Sequence, residues 1–319
     1  MKLLKKIAGS PITRWVFLAI ALVGLVWAVA KNWHSLLEAL AVLPAWIAAV
    51  SILLAIVYVF FTLWSWKIIL ADLGSSLSWN ASVQLFGVSQ IGKYIPGGVW
   101  NIVAAAEIGR NHRIPARRSV TAMTVAVLIS LLSGTGIGAV TVLGTSVTIQ
   151  VPTWAIIVLL IILVALLTPP VLNRLIGFGF KLLKRPAPVL DTKSMKNLNI
   201  HFKGLGLATL LAIIAWGVAG VQVWLLAVGF GMSPSVSGLL LAVGAYALAW
   251  VVGFLAVFMP AGTGVREGIL SLFFTGVLSS GGVLAVVLDS RIAMTVADLV
   301  FAGTGALLLR GHRNNKAHQ

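Results

Sequence analysis

Of 319 residues, 60% are hydrophobic and only 9% charged, with a mean hydropathy of +1.05, which excludes a soluble globule. The net charge of +16 would suggest nucleic acid in a soluble chain, but here the basic residues flank apolar spans. No nucleic-acid partner is therefore expected, and the charge is assigned to membrane topology and to anionic lipid surfaces. Cysteine is absent, which removes disulfides, thiolate metal sites and a cysteine nucleophile.

Taken in chain order, six segments are long enough to cross a hydrocarbon core of about 30 Å: 12–30, 43–66, 119–146, 153–172, 204–228 and 290–309. Ala28-Val29-Ala30 has the small-residue pattern of a signal-peptidase site, yet the first span is expected to be retained because the repeat described below needs it. Between the second and third spans, residues 82–95 and 99–109 are each too short to cross. They predict a re-entrant hairpin around Pro96-Gly97-Gly98. A second hairpin is predicted over 237–288, broken at Pro260-Ala261-Gly262-Thr263-Gly264. Its limbs, 237–259 and 269–288, could each cross fully, and re-entry is preferred by analogy with the first. With the N-terminus inside, 19 of the 23 lysines and arginines fall on the cytoplasmic side. Lys31 and Arg291 fall outside, while Lys93 and Arg266 fall within the membrane. The expectation is a multi-pass protein of the cell (inner or plasma) membrane with both termini cytoplasmic.

The sequence also repeats. Ala122-Met123-Thr124-Val125-Ala126 returns as Ala293-Met294-Thr295-Val296-Ala297, Gly134-Thr135-Gly136 returns as Gly303-Thr304-Gly305, and Pro96 returns as Pro260. Three collinear matches favour a duplication. The expected fold is an all-α polytopic membrane protein: one domain, 1–319, with repeats at 10–147 and 152–310 of opposite topology. Six full spans and two broken hairpins in that arrangement are the pattern of an alternating-access transporter.

The residues that could carry chemistry cluster at the two breaks. Each break stops one helix and restarts another, near Val99 and near Gly268, so a helix N-terminus with free N–H groups would point at the membrane middle and favour an anion. Lys93 and Arg266 add full positive charge there. A headgroup phosphate is one balancing anion, with Lys93, Gly97, Gly98, Trp100, Gly262, Gly264 and Arg266 as its candidate site. Protein carboxylates are the other, in which case Glu107, Glu267 or Asp298 would pair with the cations. Glu267 stands where it can cap its own helix, which would leave Arg266 to pair elsewhere. Asp298 is either a protonatable coupling carboxylate or a buried partner of Arg266. Trp100 follows the first break directly, although packing would also account for it. The other tryptophans fit an aromatic belt, and the Gly-Thr-Gly runs fit close helix contacts rather than a nucleotide fingerprint.

Gln90-Ile91-Gly92-Lys93-Tyr94-Ile95-Pro96-Gly97-Gly98-Val99-Trp100, followed by Pro260-Ala261-Gly262-Thr263-Gly264-Val265-Arg266-Glu267-Gly268, resembles the transmembrane domain of the lysylphosphatidylglycerol synthase/flippase family over nearly the whole chain. The resemblance implies a flippase-type membrane domain that handles aminoacylated phospholipids or other anionic lipids, with some members near cell-envelope polysaccharide systems. Only ten residues follow the last span, so the soluble aminoacyl-transferring domain of the bifunctional members is not expected, nor is lysyl-lipid synthesis.

The leading expectation is a standalone translocator of an anionic phospholipid or a polyprenyl-phosphate-linked lipid in the bilayer. Association into a homo-oligomer is left open. An enzyme fits less well, because no membrane histidine is available as a base, no H-E-x-x-H or other metal-ligand cluster appears, and no cofactor is implied. An accessory subunit of an envelope-glycan glycosyltransferase is the third reading, and the duplication argues against it.

Overall fold

The computed structural model of the chain describes residues 43–95, 100–144, 152–182, 199–257 and 259–317. Among them, all the helices and breaks form one ordered series. It runs α1 (Ala45–Asp72), α2 (Trp79–Gln90), a 3-10 break (Ile91–Tyr94), α3 (Trp100–Asn111) and α4 (Ala116–Gly144). Then come α5 (Thr153–Leu166), α6 (Pro169–Leu182), α7 (Phe202–Gly229) and α8 (Val236–Leu255). A second 3-10 break (Pro260–Gly262), α9 (Val265–Phe274) and α10 (Ser280–Ala317) complete it. Five helices, α1, α4, α7, α8 and α10, are long and apolar enough to cross a membrane. The predicted span 12–30 and the Pro96-Gly97-Gly98 turn lie outside the described residues.

The stretch 45–144 and the stretch 202–317 pass through the same elements in the same order. α1 and α7 are each 28 residues long, and each ends in a left-handed glycine, Gly74 (φ 86°) and Gly231 (φ 102°). In both turns the glycine N–H and the next N–H close back onto the last helical carbonyls: Gly74 to Ala71 and Ser75 to Leu70, Gly231 to Val228 and Met232 to Ala227. A serine then starts the next helix at the same offset, Ser78 for α2 and Ser235 for α8, each accepting the N–H three residues on (235 − 78 = 157).

Packing follows the same pairing. α1 packs on its counterpart α7, while α2 packs on α10 and α8 on α4, so the second helix of each stretch is seated against the last helix of the other. Glycines on both sides make these crossings close. A Cβ on Gly87 of α2 would lie 2.3 Å from the Phe301 carbonyl oxygen, and one on Gly305 of α10 2.7 Å from that of Val83. Across the other seam a Cβ on Gly244 of α8 would meet Thr141 at 2.1 Å, and one on Gly138 of α4 would meet Leu248 at 2.2 Å. Gly87 and Gly244 again stand 157 apart. Of the sequence's Gly-Thr-Gly runs, Gly134, whose would-be Cβ lies 3.0 Å from the Trp216 ring, and Gly305 are close contacts, whereas Gly136 is in ordinary contact and Gly303 has nothing within 4 Å of its would-be Cβ. Buried polar bonds tie the bundle: Trp216 Nε1 donates to Ser133 Oγ at 3.0 Å, and Gln222 Nε2 to Ser51 Oγ at 2.7 Å.

Two predicted spans are drawn differently by the structure. The segment 153–172 is not one straight span, because α5 has 14 residues, about 21 Å, and α6 departs from it at 74°. Pro169 opens the new helix where its ring would clash with a continuing turn. α6 carries Leu175 and Phe178 exposed and Leu172 buried. Asn173 holds it in place by pairing with both the N–H (3.0 Å) and the carbonyl (3.1 Å) of Ile200. The second correction concerns 269–288 and 290–309. α9 stops at Phe274, Gly276 takes φ 84°, and α10 runs unbroken from Ser280, so the last span begins ten residues earlier than expected. The apolar run looks continuous in hydropathy, but a left-handed glycine and the Ser279 cap on Gly282 N–H divide it. At ten residues, about 15 Å, α9 is too short to cross.

Candidate functional site: a charged cavity between the two breaks

The two breaks touch each other, and a cavity of about 150 Å³ opens between them and helices α1, α2, α3, α4, α7, α8, α9 and α10. At 10–15 Å³ per water centre it has room for on the order of ten waters. Lys93, Gly262, Arg266 and Asp298 of the sequence's candidates line it, together with Arg291, Tyr58, Tyr94 and Tyr246.

The first break brings its chemistry to α10. Lys93 Nζ lies 2.7 Å from both oxygens of Asp298, and the Tyr94 hydroxyl donates to Asp298 Oδ2 at 2.7 Å. Asp298 is only 2% exposed, so its charge depends on these two donors. Of the two cations that Asp298 could have met, it pairs with Lys93 and not with Arg266.

The second break is the more contorted. Ala261 (φ 50°), Gly262 (φ 69°) and Gly264 (φ 86°) are all left-handed. At Gly262 only glycine fits, since a Cβ would lie 2.8 Å from the Gly253 backbone of α8. Arg291 of α10 supports the contorted backbone, donating to the Ala261 carbonyl (3.2 Å) and to Thr263 Oγ1 (3.1 Å), with Nε 3.4 Å from Glu267 Oε1. Glu267 Oε2 accepts the Gly264 N–H at 2.6 Å, so this carboxylate caps α9 and pairs with Arg291 at once. Arg291 was expected outside the membrane. It belongs instead to the site.

Arg266 is the cation left over. Its guanidinium carbon lies 4.6 Å above the Tyr246 ring and its Nη2 donates to the Tyr246 hydroxyl. Among the described residues no carboxylate comes within ion-pair reach of it. Tyr246 in turn stands edge-on to Tyr58, with ring centroids 6.2 Å apart.

Other candidates fall away from the cavity. Glu107, expected as a coupling carboxylate, is a surface residue of α3 that pairs with Arg110 at 3.2 Å, with the two side chains 73% and 58% exposed. Trp100 begins α3 half-exposed and does not line the cavity. Gly264 serves as the N-cap of α9, and Gly97 and Gly98 lie outside the described residues. Arg291 and the tyrosines escaped sequence reasoning, although signals existed. Arg291 lies seven residues before Asp298, two helical turns away on one face. The chain's three tyrosines all line this cavity.

Among the described residues no group of three histidine, aspartate or glutamate side chains is placed to hold a metal ion. No curated protein matches the chain. Residues 14–302, most of the sequence including both breaks and the charged cavity, match the lysylphosphatidylglycerol synthase TM region, and the chain belongs to that family.

Proposed function

We propose that this protein is an integral membrane lipid translocator that passes an anionic headgroup between its two breaks by alternating access. The observation that carries the proposal is Arg266: a half-buried cation turned to a cavity, held by a tyrosine rather than by a carboxylate. A guanidinium so placed is poorly compensated until an anion arrives, and its planar fork suits a phosphate. An inverted relation between 45–144 and 202–317 supports the transport reading. The matched Schellman turns, serine caps and crossed glycine seams are what two copies about a pseudo-two-fold axis would produce. In this reading α2–α3 and α8–α9 are the re-entrant hairpins, both chain termini face the cytoplasm, and the protein resides in the cell membrane.

The test is lipid translocation in proteoliposomes. Arg266→Gln should abolish most transport while leaving thermal unfolding close to that of the parent, because no carboxylate loses a partner. Lys93→Gln should lower stability, since it strands Asp298, and the pair Lys93→Gln with Asp298→Asn should recover it. Full transport by a folded Arg266→Gln protein would overturn the proposal.

A further inference from the structure

Resting on that translocator reading, we infer that the cavity chooses its lipid by net headgroup charge and takes a single negative charge, as in a phosphodiester to an uncharged alcohol. Among the described residues the site holds three cations, Lys93, Arg266 and Arg291, and two carboxylates, Glu267 and Asp298. Lys93 is matched by Asp298 at 2.7 Å and Arg291 by Glu267 at 3.4 Å. One positive charge, that of Arg266, is unmatched.

The enclosure makes that remainder count. Side-chain exposure is 2% at Asp298, 14% at Glu267, 21% at Arg291 and 34% at Lys93, so surrounding water screens the cluster less than it would at a surface. A headgroup of charge −1 brings the cluster to neutrality. A zwitterionic headgroup leaves +1, an aminoacylated one with net +1 leaves +2, and a dianionic phosphomonoester leaves −1. The two carboxylates are already engaged, by Lys93 and Tyr94 on one side and by Arg291 and the α9 cap on the other, so no acceptor of full charge is open to a ligand ammonium. The rest of the cavity lining is uncharged and largely apolar, and Thr62, Ser65, Asn101 and Ser130 within it offer polar groups that suit the hydroxyls of an alcohol.

The experiment is competition for the full-length protein in nanodiscs of a neutral lipid, read by native mass spectrometry. The probes are phosphatidylglycerol (−1), phosphatidylethanolamine (zwitterionic) and a polyprenyl phosphate at pH 8.5, where a phosphomonoester carries close to two charges. Free glycerophosphoglycerol is the soluble control. The expected order is phosphatidylglycerol at least tenfold ahead of both other lipids, with the soluble diester ineffective at equal concentration. Glu267→Gln and Asp298→Asn each add one net positive charge with little change of shape. Either variant, if folded, should move the ratio of dianionic to singly anionic binding by tenfold or more toward the dianion.

Equal or tighter binding of the polyprenyl phosphate by the unmodified protein would overturn the inference, as would an unmoved ratio in folded variants. Competition by the soluble diester at the lipid's own concentration would overturn the lipid assignment. Proteoliposome assays separate this from the reading beneath it. Charge-ordered binding without translocation would remove the translocator and keep the charge rule, whereas translocation indifferent to headgroup charge would do the reverse.

Discussion

The two breaks are built alike and charged differently. Each is a 3-10 turn that follows a serine-capped helix and precedes a short one, and the two touch. Yet the first supplies only Lys93 and Tyr94, while the second is followed by Arg266 and Glu267 and buttressed by Arg291. The positions in α4 that correspond to Arg291 and Asp298 by the Ala-Met-Thr-Val-Ala match are Val120 and Val127. Two stretches with the same order of elements can therefore share a shape and concentrate the chemistry in one, because seams and caps depend on size and backbone while charge depends on single side chains.

The sharpest test of that contrast is Asp298→Ala, which leaves the Lys93 amine without its carboxylate. Losing one member of a buried pair costs roughly 3–5 kcal/mol. With the Lys93 side chain 34% exposed, the lower end is expected, seen as a fall in thermal unfolding temperature. Adding Lys93→Met should recover most of it, and an unchanged single variant would show that the first break is held by packing alone.

Next come the glycines of the two breaks. Gly92→Ala would bring a Cβ within 2.5 Å of the Asn101 nitrogen, and Gly262→Ala within 2.8 Å of the Gly253 backbone. Overpacking of this kind costs about 1–3 kcal/mol. Gly262, at φ 69°, should lose about 1 kcal/mol more because alanine resists the left-handed region. Denaturation of the two variants side by side checks the order, and a costlier Gly92→Ala would reverse the claim that the second break is the more contorted.

Smaller and equal effects are expected where the halves are equivalent. Ser78→Ala and Ser235→Ala each remove one cap, accepted at 3.3 and 3.0 Å, for about 1 kcal/mol apiece. A difference well beyond that would break the equivalence of α2 and α8. Least of all should come Glu107→Gln. Its exposed pair with Arg110 contributes at most about 0.5 kcal/mol, and neither stability nor transport should move measurably.

Length and apolarity made α1, α4 and α7 legible, since 43–66, 119–146 and 204–228 became Ala45–Asp72, Ala116–Gly144 and Phe202–Gly229. Where an apolar run was divided by backbone alone, hydropathy was blind. Leu172 and Phe274 are as apolar on either side of a bend as within a span, and only Pro169 and Gly276 marked the change. For the site, Lys93, Arg266, Glu267 and Asp298 stood out as charges in apolar surroundings. Their partners did not, because which cation meets Asp298 is decided by how α10 crosses the first break, a relation between residues 205 apart. Arg291 was misplaced for a related reason: hydropathy put a span boundary at its position, inside what is a continuous helix.

Helix α10 fastens both breaks at once, through Arg291 on one and Asp298 on the other, about 10.5 Å apart along a single rod. Neither contact can be released by sliding that rod without straining the other, so the two breaks are yoked. Distances from the first break to α10 and from the second break to α10, followed in the same molecule, should therefore change in one concerted step with a shared rate. Movement of one break without the other would require α10 to bend between residues 291 and 298, where its backbone is unbroken helix.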